Sequence, residues 1–196
     1  MDALGQQTRD LLADGKIAEA TTLVLQVYGP EILGFVSGVL NDSDGDEVFS
    51  AFSERLWRSL ERFQWRCTLR TWVYVLARHE ISRFRRGVRR HVEGRVPLSE
   101  LQSVLEAVRK THTTRASEHR STLVRLRDEL PIEDRALLIL RVDRGLSFED
   151  IALAFAEDPE TTGADELKRE AARLRKRFQL VKERLTARAR AVLAAP

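Results

Sequence analysis

The 196-residue chain has one cysteine, Cys67, one methionine and five prolines. A single cysteine excludes an intrachain disulfide and a cysteine-rich zinc site, and it agrees with a reducing compartment. No Walker phosphate loop, H-E-x-x-H or G-x-S-x-G run occurs, so the known phosphate-cradling, zinc-protease and serine-nucleophile arrangements have no footing. Three of the four histidines, His91, His112 and His119, fall in or near one polar stretch without metal-ligand spacing, and no metal, cofactor or catalysis by this chain is expected. The apolar runs are too broken for a membrane span, and the first residues, MDALGQQTRDLLADG, lack a leader pattern. An aqueous, cytoplasmic setting without a membrane partner is therefore expected.

Also missing is any clean period of two between turn signals, whereas apolar residues recur three and four apart almost throughout. The expected fold class is all-α. Helices are predicted over Gly5 to Ala13, Ile17 to Tyr28, Glu31 to Leu40, Asp44 to Ser59 and Thr68 to Arg86, with breaks at Gly15, Gly29-Pro30, NDSDGD and FQWRC. From Gly87 to about Arg120 the sequence turns polar and irregular around one short helical stretch, which reads as a linker. A second helical group follows over Ser121 to Leu130, Glu133 to Asp143, Ser147 to Ala156 and Asp165 to about Ala191. The expected organisation is two small helical domains, 1–90 and 121–196, joined by a linker over 91–120.

The formal net charge of +3 hides a block pattern. Residues 1–60 carry −6, residues 62–95 carry +8, residues 121–165 carry −6 and residues 166–196 carry +7. Each domain thus has an acidic part followed by a basic one, as expected of a protein that meets a polyanion with part of its surface.

Two helices concentrate the cations. In CTLRTWVYVLARHEISRFRRGVRR, from Cys67 to Arg90, a turn of about 100° per residue puts Leu69, Trp72, Val73, Leu76 and Phe84 on one side. Arg78, Ser82, Arg85, Arg86 and Arg89 fall on the opposite arc. The loop before this helix holds Trp65, the best candidate for an exposed ring, while Trp72 and Phe84 are expected in the core. In the second domain, Ser147 with Asp150 forms a capping signal, and a further helix is opened by Asp165. That last helix has an apolar seam of Leu167, Ala171, Leu174, Phe178, Val181 and Leu185, with Lys168, Arg169, Arg173, Lys176 and Arg177 on its other side. Paired helices of this kind suit a helix-turn-helix, whose second helix enters a major groove while its cations meet phosphate. A solvated basic face explains the same pattern equally well.

The two halves together resemble the extracytoplasmic-function group of sigma factors, the promoter-recognition subunits of bacterial RNA polymerase. The resemblance is carried by DGDEVFSAFSERLW (Asp44 to Trp57), RSLERFQWRC, TLRTWVYVLARHEISRFRR (Thr68 to Arg86) and LPIEDRALLILRVDRGLSFEDIA (Leu130 to Ala152). The first three match the family's second conserved region and the last its fourth, in the family's order. The resemblance implies that Asp46, Glu47, Phe49, Ser50, Arg55 and Trp57 dock on core polymerase. It implies that Gln64, Trp65, Arg66, Arg78, His79, Ser82, Arg85 and Arg86 hold the minus-ten strand once the duplex opens. It further implies that Lys168, Arg169, Arg173, Lys176 and Arg177 face the minus-thirty-five duplex, with an anti-sigma factor as a further candidate partner.

The sequence departs from the family pattern in three places. Ser50-Ala51 replaces a common Gln-Glu pair, His79 and Ser82 replace Asn and Asp, and the turn before the last helix is lengthened by EDPETTGA, Glu157 to Ala164. Two other functions compete: a stand-alone helix-turn-helix regulator using residues 121–196 alone, and a helical adaptor whose basic faces meet acidic proteins.

Overall fold

The computed structural model describes residues 3–40, 42–87, 102–110 and 126–194, and among these every regular element is helical. Arg89, the three histidines of the polar stretch and residues 121–125 lie outside the described residues. The chain divides into two compact units, Met1–Thr114 and Arg115–Pro196.

The first unit begins with α1 (Ala3–Ala13) and α2 (Ile17–Val39), and continues with α3 (Asp42–Ser59), a 3-10 turn (Leu60–Arg62) and α4 (Leu69–Arg85). Gly15, at φ 73, makes the α1–α2 turn, a left-handed backbone that glycine adopts without a Cβ clash. The Gly29-Pro30 pair, expected to break the second helix, does not: α2 runs through it. Pro30 cannot donate to the carbonyl of Gln26, but Gln26 is exposed, so water can serve that oxygen. Apolar burial on both sides of the proline, by Val24, Leu25 and Tyr28 before it and Ile32, Leu33, Phe35 and Val36 after it, outweighs the missing bond. Each such side chain contributes roughly 1.5–3 kcal/mol. By length and composition α2 could cross a membrane, but it forms the packed centre of this unit, with α1, α3 and α4 against it.

Where α2 and α3 cross, Gly45 faces Ser37, and a methyl group at that position would lie 2.9 Å from the Ser37 Cα. Only glycine permits this approach without movement of backbone. α3 begins at Asp42, two residues ahead of its predicted start, so the acidic run contributes Asp42 and Asp44 to the first turn, where carboxylates favour the helix dipole. α4 is capped by Thr68, whose side chain accepts from the Thr71 amide. An Arg70–Glu31 pair (2.7 Å) ties α4 to α2, and the hydrogen bond that Arg70 donates to the Glu31 carboxylate holds its guanidinium above its ordinary pKa.

Residues 102–110, inside the predicted linker, form a helix, α5, that belongs to the first unit. Its Leu105 and Val108 are buried, and the division between units falls after it.

The second unit holds a short helical stretch α6 (126–128), α7 (Ile132–Leu138), a π-helical turn (Ile139–Asp143), α8 (Phe148–Phe155) and α9 (Ala164–Ala194). The π turn ends on Gly145 at φ 67, with the Leu146 amide donating back to the Leu140 carbonyl at 3.0 Å. This closure satisfies carbonyls that a helix end leaves open and turns the chain sharply towards α8. Ser147 caps α8 as expected, accepting from the Asp150 amide at 3.0 Å while its hydroxyl donates to the Asp150 carboxylate at 2.6 Å. Asp165 lies in the first turn of α9 rather than at its cap, since the helix starts at Ala164.

Candidate nucleic-acid interface

α4 does not have the two separable faces that its sequence suggests. Ten of its 17 residues are buried, because α2 and α3 both pack along it. Arg78, expected on the cationic arc, is only 7% exposed, and its Nη1 donates to the Ser82 Oγ. It therefore acts inside the fold, fixing Ser82. His79 and Ser82 are half-buried, and Arg85 and Arg86, in the last turn and at the C-cap, are exposed. The cations that α4 offers to solvent are thus at its C-terminal end, where they also complement the helix dipole.

The loop before α4 is organised by rings. Phe63 stacks on Trp72 (centroids 4.5 Å apart) and meets Trp65 at 4.7 Å. Trp65 has φ 58, a left-handed backbone unusual for a bulky residue, and its ring is covered by the Arg9 guanidinium of α1 at 4.5 Å. Trp65 is half-buried rather than free, while Gln64 and Arg66 beside it are exposed. Trp72 and Phe84 are likewise half-buried instead of fully in the core. The Arg9 contact spans 56 positions of sequence, and no local signal could reveal it.

On α3, Glu47 is exposed and Trp57 is half-buried. Phe49 has no exposure and stacks on Phe52 at 5.9 Å, so as placed it supports the helix from within and cannot be a docking contact. Arg55 donates to Glu80 of α4 at 2.9 Å, and Arg83 lies 3.8 Å from the other oxygen of the same carboxylate. Glu80 is almost wholly buried, so this pair links α3 to α4 and Arg55 is spoken for inside the unit. Asp46 and Ser50 are both met by Arg109 of α5, at 3.4 and 2.7 Å.

In the second unit, α9 packs its Ala171, Leu174, Phe178 and Val181 inward, along the predicted seam. Phe178 meets Phe148 of α8 edge-on at 5.8 Å. Lys168, Arg169, Arg173 and Lys176 are exposed. Arg173 and Lys168 have only partly screened partners one turn back, Glu170 at 3.5 Å and Asp165 at 3.7 Å. Arg177 differs, because its Nε donates at 2.6 Å to Asp134, a carboxylate that is 94% buried on α7. A salt bridge so placed anchors α9, and the expected phosphate role loses its free guanidinium. The acidic turn ahead of α9 is folded on Asp158, whose carbonyl accepts from the Thr162 amide at 3.1 Å and the Thr162 hydroxyl at 2.6 Å.

The first unit therefore combines an acidic amphipathic helix, a ring-stacked loop with exposed polar tips, and a buried helix ending in exposed arginines. Residues 24–91, which span all three, match the Sigma-70 region 2 family. The match spans 68 of the 196 residues, so the likeness is one of this region. The match ends before α5 and the second unit. No curated protein matches the chain.

Proposed function

We propose that this chain is a promoter-specific initiation factor of the extracytoplasmic-function type, which binds core RNA polymerase and recognises and opens promoter DNA. The observation that carries this reading is the region 2 match over 24–91 in one unit, together with a second cationic helix, α9, exposing Lys168, Arg169, Arg173 and Lys176 in another. In this reading Asp46, Glu47, Ser50 and Trp57 contact the polymerase, while Gln64, Trp65, Arg66, His79, Ser82, Arg85 and Arg86 line the minus-ten strand. The α8–α9 pair acts as the helix-turn-helix on the minus-thirty-five duplex. The setting is the cytoplasm, and a masking anti-sigma partner would compete for these same surfaces.

The mechanism uses binding energy alone. Single strands are held by cations and by stacking worth about 1–3 kcal/mol per base; the exposed Arg66 offers the first, and the Trp65 ring offers the second once the Arg9 guanidinium moves off it. Phosphate contacts are salt-sensitive, each lowering log affinity by roughly 0.9 per log unit of salt. A few exposed cations on each helix thus give weak binding by the free factor, and the polymerase supplies the fixed spacing that lets both helices engage at once.

Run-off transcription from purified components tests the proposal. Product should require this protein, core polymerase and a cognate promoter together. Arg85→Ala with Arg86→Ala should reduce strand opening, read by permanganate reactivity, at unchanged core affinity. Duplex footprints with twofold symmetry in the absence of core would point instead to a stand-alone regulator.

A further inference from the structure

α5 lies against α2 and against α3, the helix that the proposed function assigns to polymerase docking. Its inner face presents Val104, Leu105 and Val108, of which the last two are buried. Val108 lies over Gly29 of α2, where a methyl group would be 3.0 and 3.4 Å from the two Val108 methyls and 3.7 Å from the Phe49 ring. At the next position, Arg109 donates from Nη2 to the Ser50 Oγ at 2.7 Å and lies with its Nε 3.4 Å from Asp46. Asp46 and Ser50 are one turn apart on α3, and the Ser50 hydroxyl also donates to the Asp46 carbonyl at 2.9 Å. A single guanidinium thus occupies two neighbouring polar groups on the outer side of α3.

We infer that α5 is a built-in competitor of core polymerase: it holds the α2–α3 face, with Arg109 as its polar latch, and must leave before α3 can dock. This rests on the proposed docking role of α3. One physical point favours exchange over permanent packing. The Arg109 and Asp46 side chains are 35% and 55% exposed, so their ion pair adds little affinity by itself. A polymerase surface that covers Asp46 and Ser50 competes with Arg109 for both groups.

The consequence is a tax on binding. Apparent affinity equals intrinsic affinity multiplied by the fraction of molecules with α5 undocked, so a face covered nine-tenths of the time costs about tenfold. Full-length protein, Arg109→Ala and the double variant Val108→Asp with Arg109→Ala should be titrated with purified core polymerase by fluorescence anisotropy. Affinity should rise about threefold in the single variant and about tenfold in the double. In the unsubstituted protein, amide hydrogen exchange over 102–110 should speed up when core is added. Equal or weaker binding by the single variant, or amides that stay protected in the complex, would overturn the inference while leaving the docking role intact. Failure of every version to bind core would overturn the docking role, and the inference with it. Thermal unfolding checks that the double variant stays folded; if it does not, the single variant and the exchange measurement decide.

Discussion

Helices α4 and α9 are both rich in arginine, yet α2 and α3 wrap α4, whereas α9 meets α7 and α8 along one seam. The same side chain consequently has different work in the two places. Arg78 on α4 is 7% exposed and bonds Ser82, while the side chain of Arg173 on α9 is 78% exposed. Arg177 stands between them, 39% exposed and bound to a buried Asp134. Arginine density is therefore a poor measure of the charge a helix presents. The number of neighbours packed around the helix decides whether a guanidinium meets solvent or acts as an internal tie.

The sharpest test of this contrast is Arg78→Ala, which removes a buried side chain and its contacts from the middle of α4. It should destabilise the first unit by about 2–3 kcal/mol, read by urea unfolding, and an effect below about 0.5 kcal/mol would return Arg78 to the exposed arc. Asp134→Ala comes next, because it strips the buried partner from Arg177 and loosens α9 on α7. A loss of about 2 kcal/mol is expected, below the 3–5 typical of fully buried pairs because Arg177 keeps contact with water. Arg173→Ala should change stability least, by less than about 0.5 kcal/mol, yet it should weaken upstream duplex protection and reduce the salt slope by about 0.9. Unchanged protection there would remove α9 from the proposed duplex contact.

The sequence revealed what depends on a single helix face. The α9 seam from Leu167 to Val181 was legible because one side only is covered, and the Ser147 cap was legible because its partner is three residues away. α4 departs from its expected two faces because a helical wheel carries no information about how many neighbours a helix has. The resemblance assigns Phe49 and Arg55 by position, and neither it nor the wheel that groups Arg177 with the other cations shows their partners Phe52, Glu80 and Asp134, which come from packing, two of them from other helices. The break expected at Gly29-Pro30 does not form because local propensity is outweighed by an apolar core that extends past it on both sides. Nothing in the polar run before α5 signals that Arg109 meets Asp46 and Ser50, about 60 positions earlier.

The close crossing at Gly45 has a consequence for how the chain can vary. Adding one carbon there sets it 2.5 Å from the Ser37 hydroxyl and 2.9 Å from the Ser37 Cα, and the second of these cannot rotate aside. Substitution would act as a wedge near the start of α3 and swing its acidic tip, with Asp42, Asp44 and Asp46, away from α2. The bearing of an entire charged rod is thus set by the absence of a side chain at one residue that itself touches no ligand.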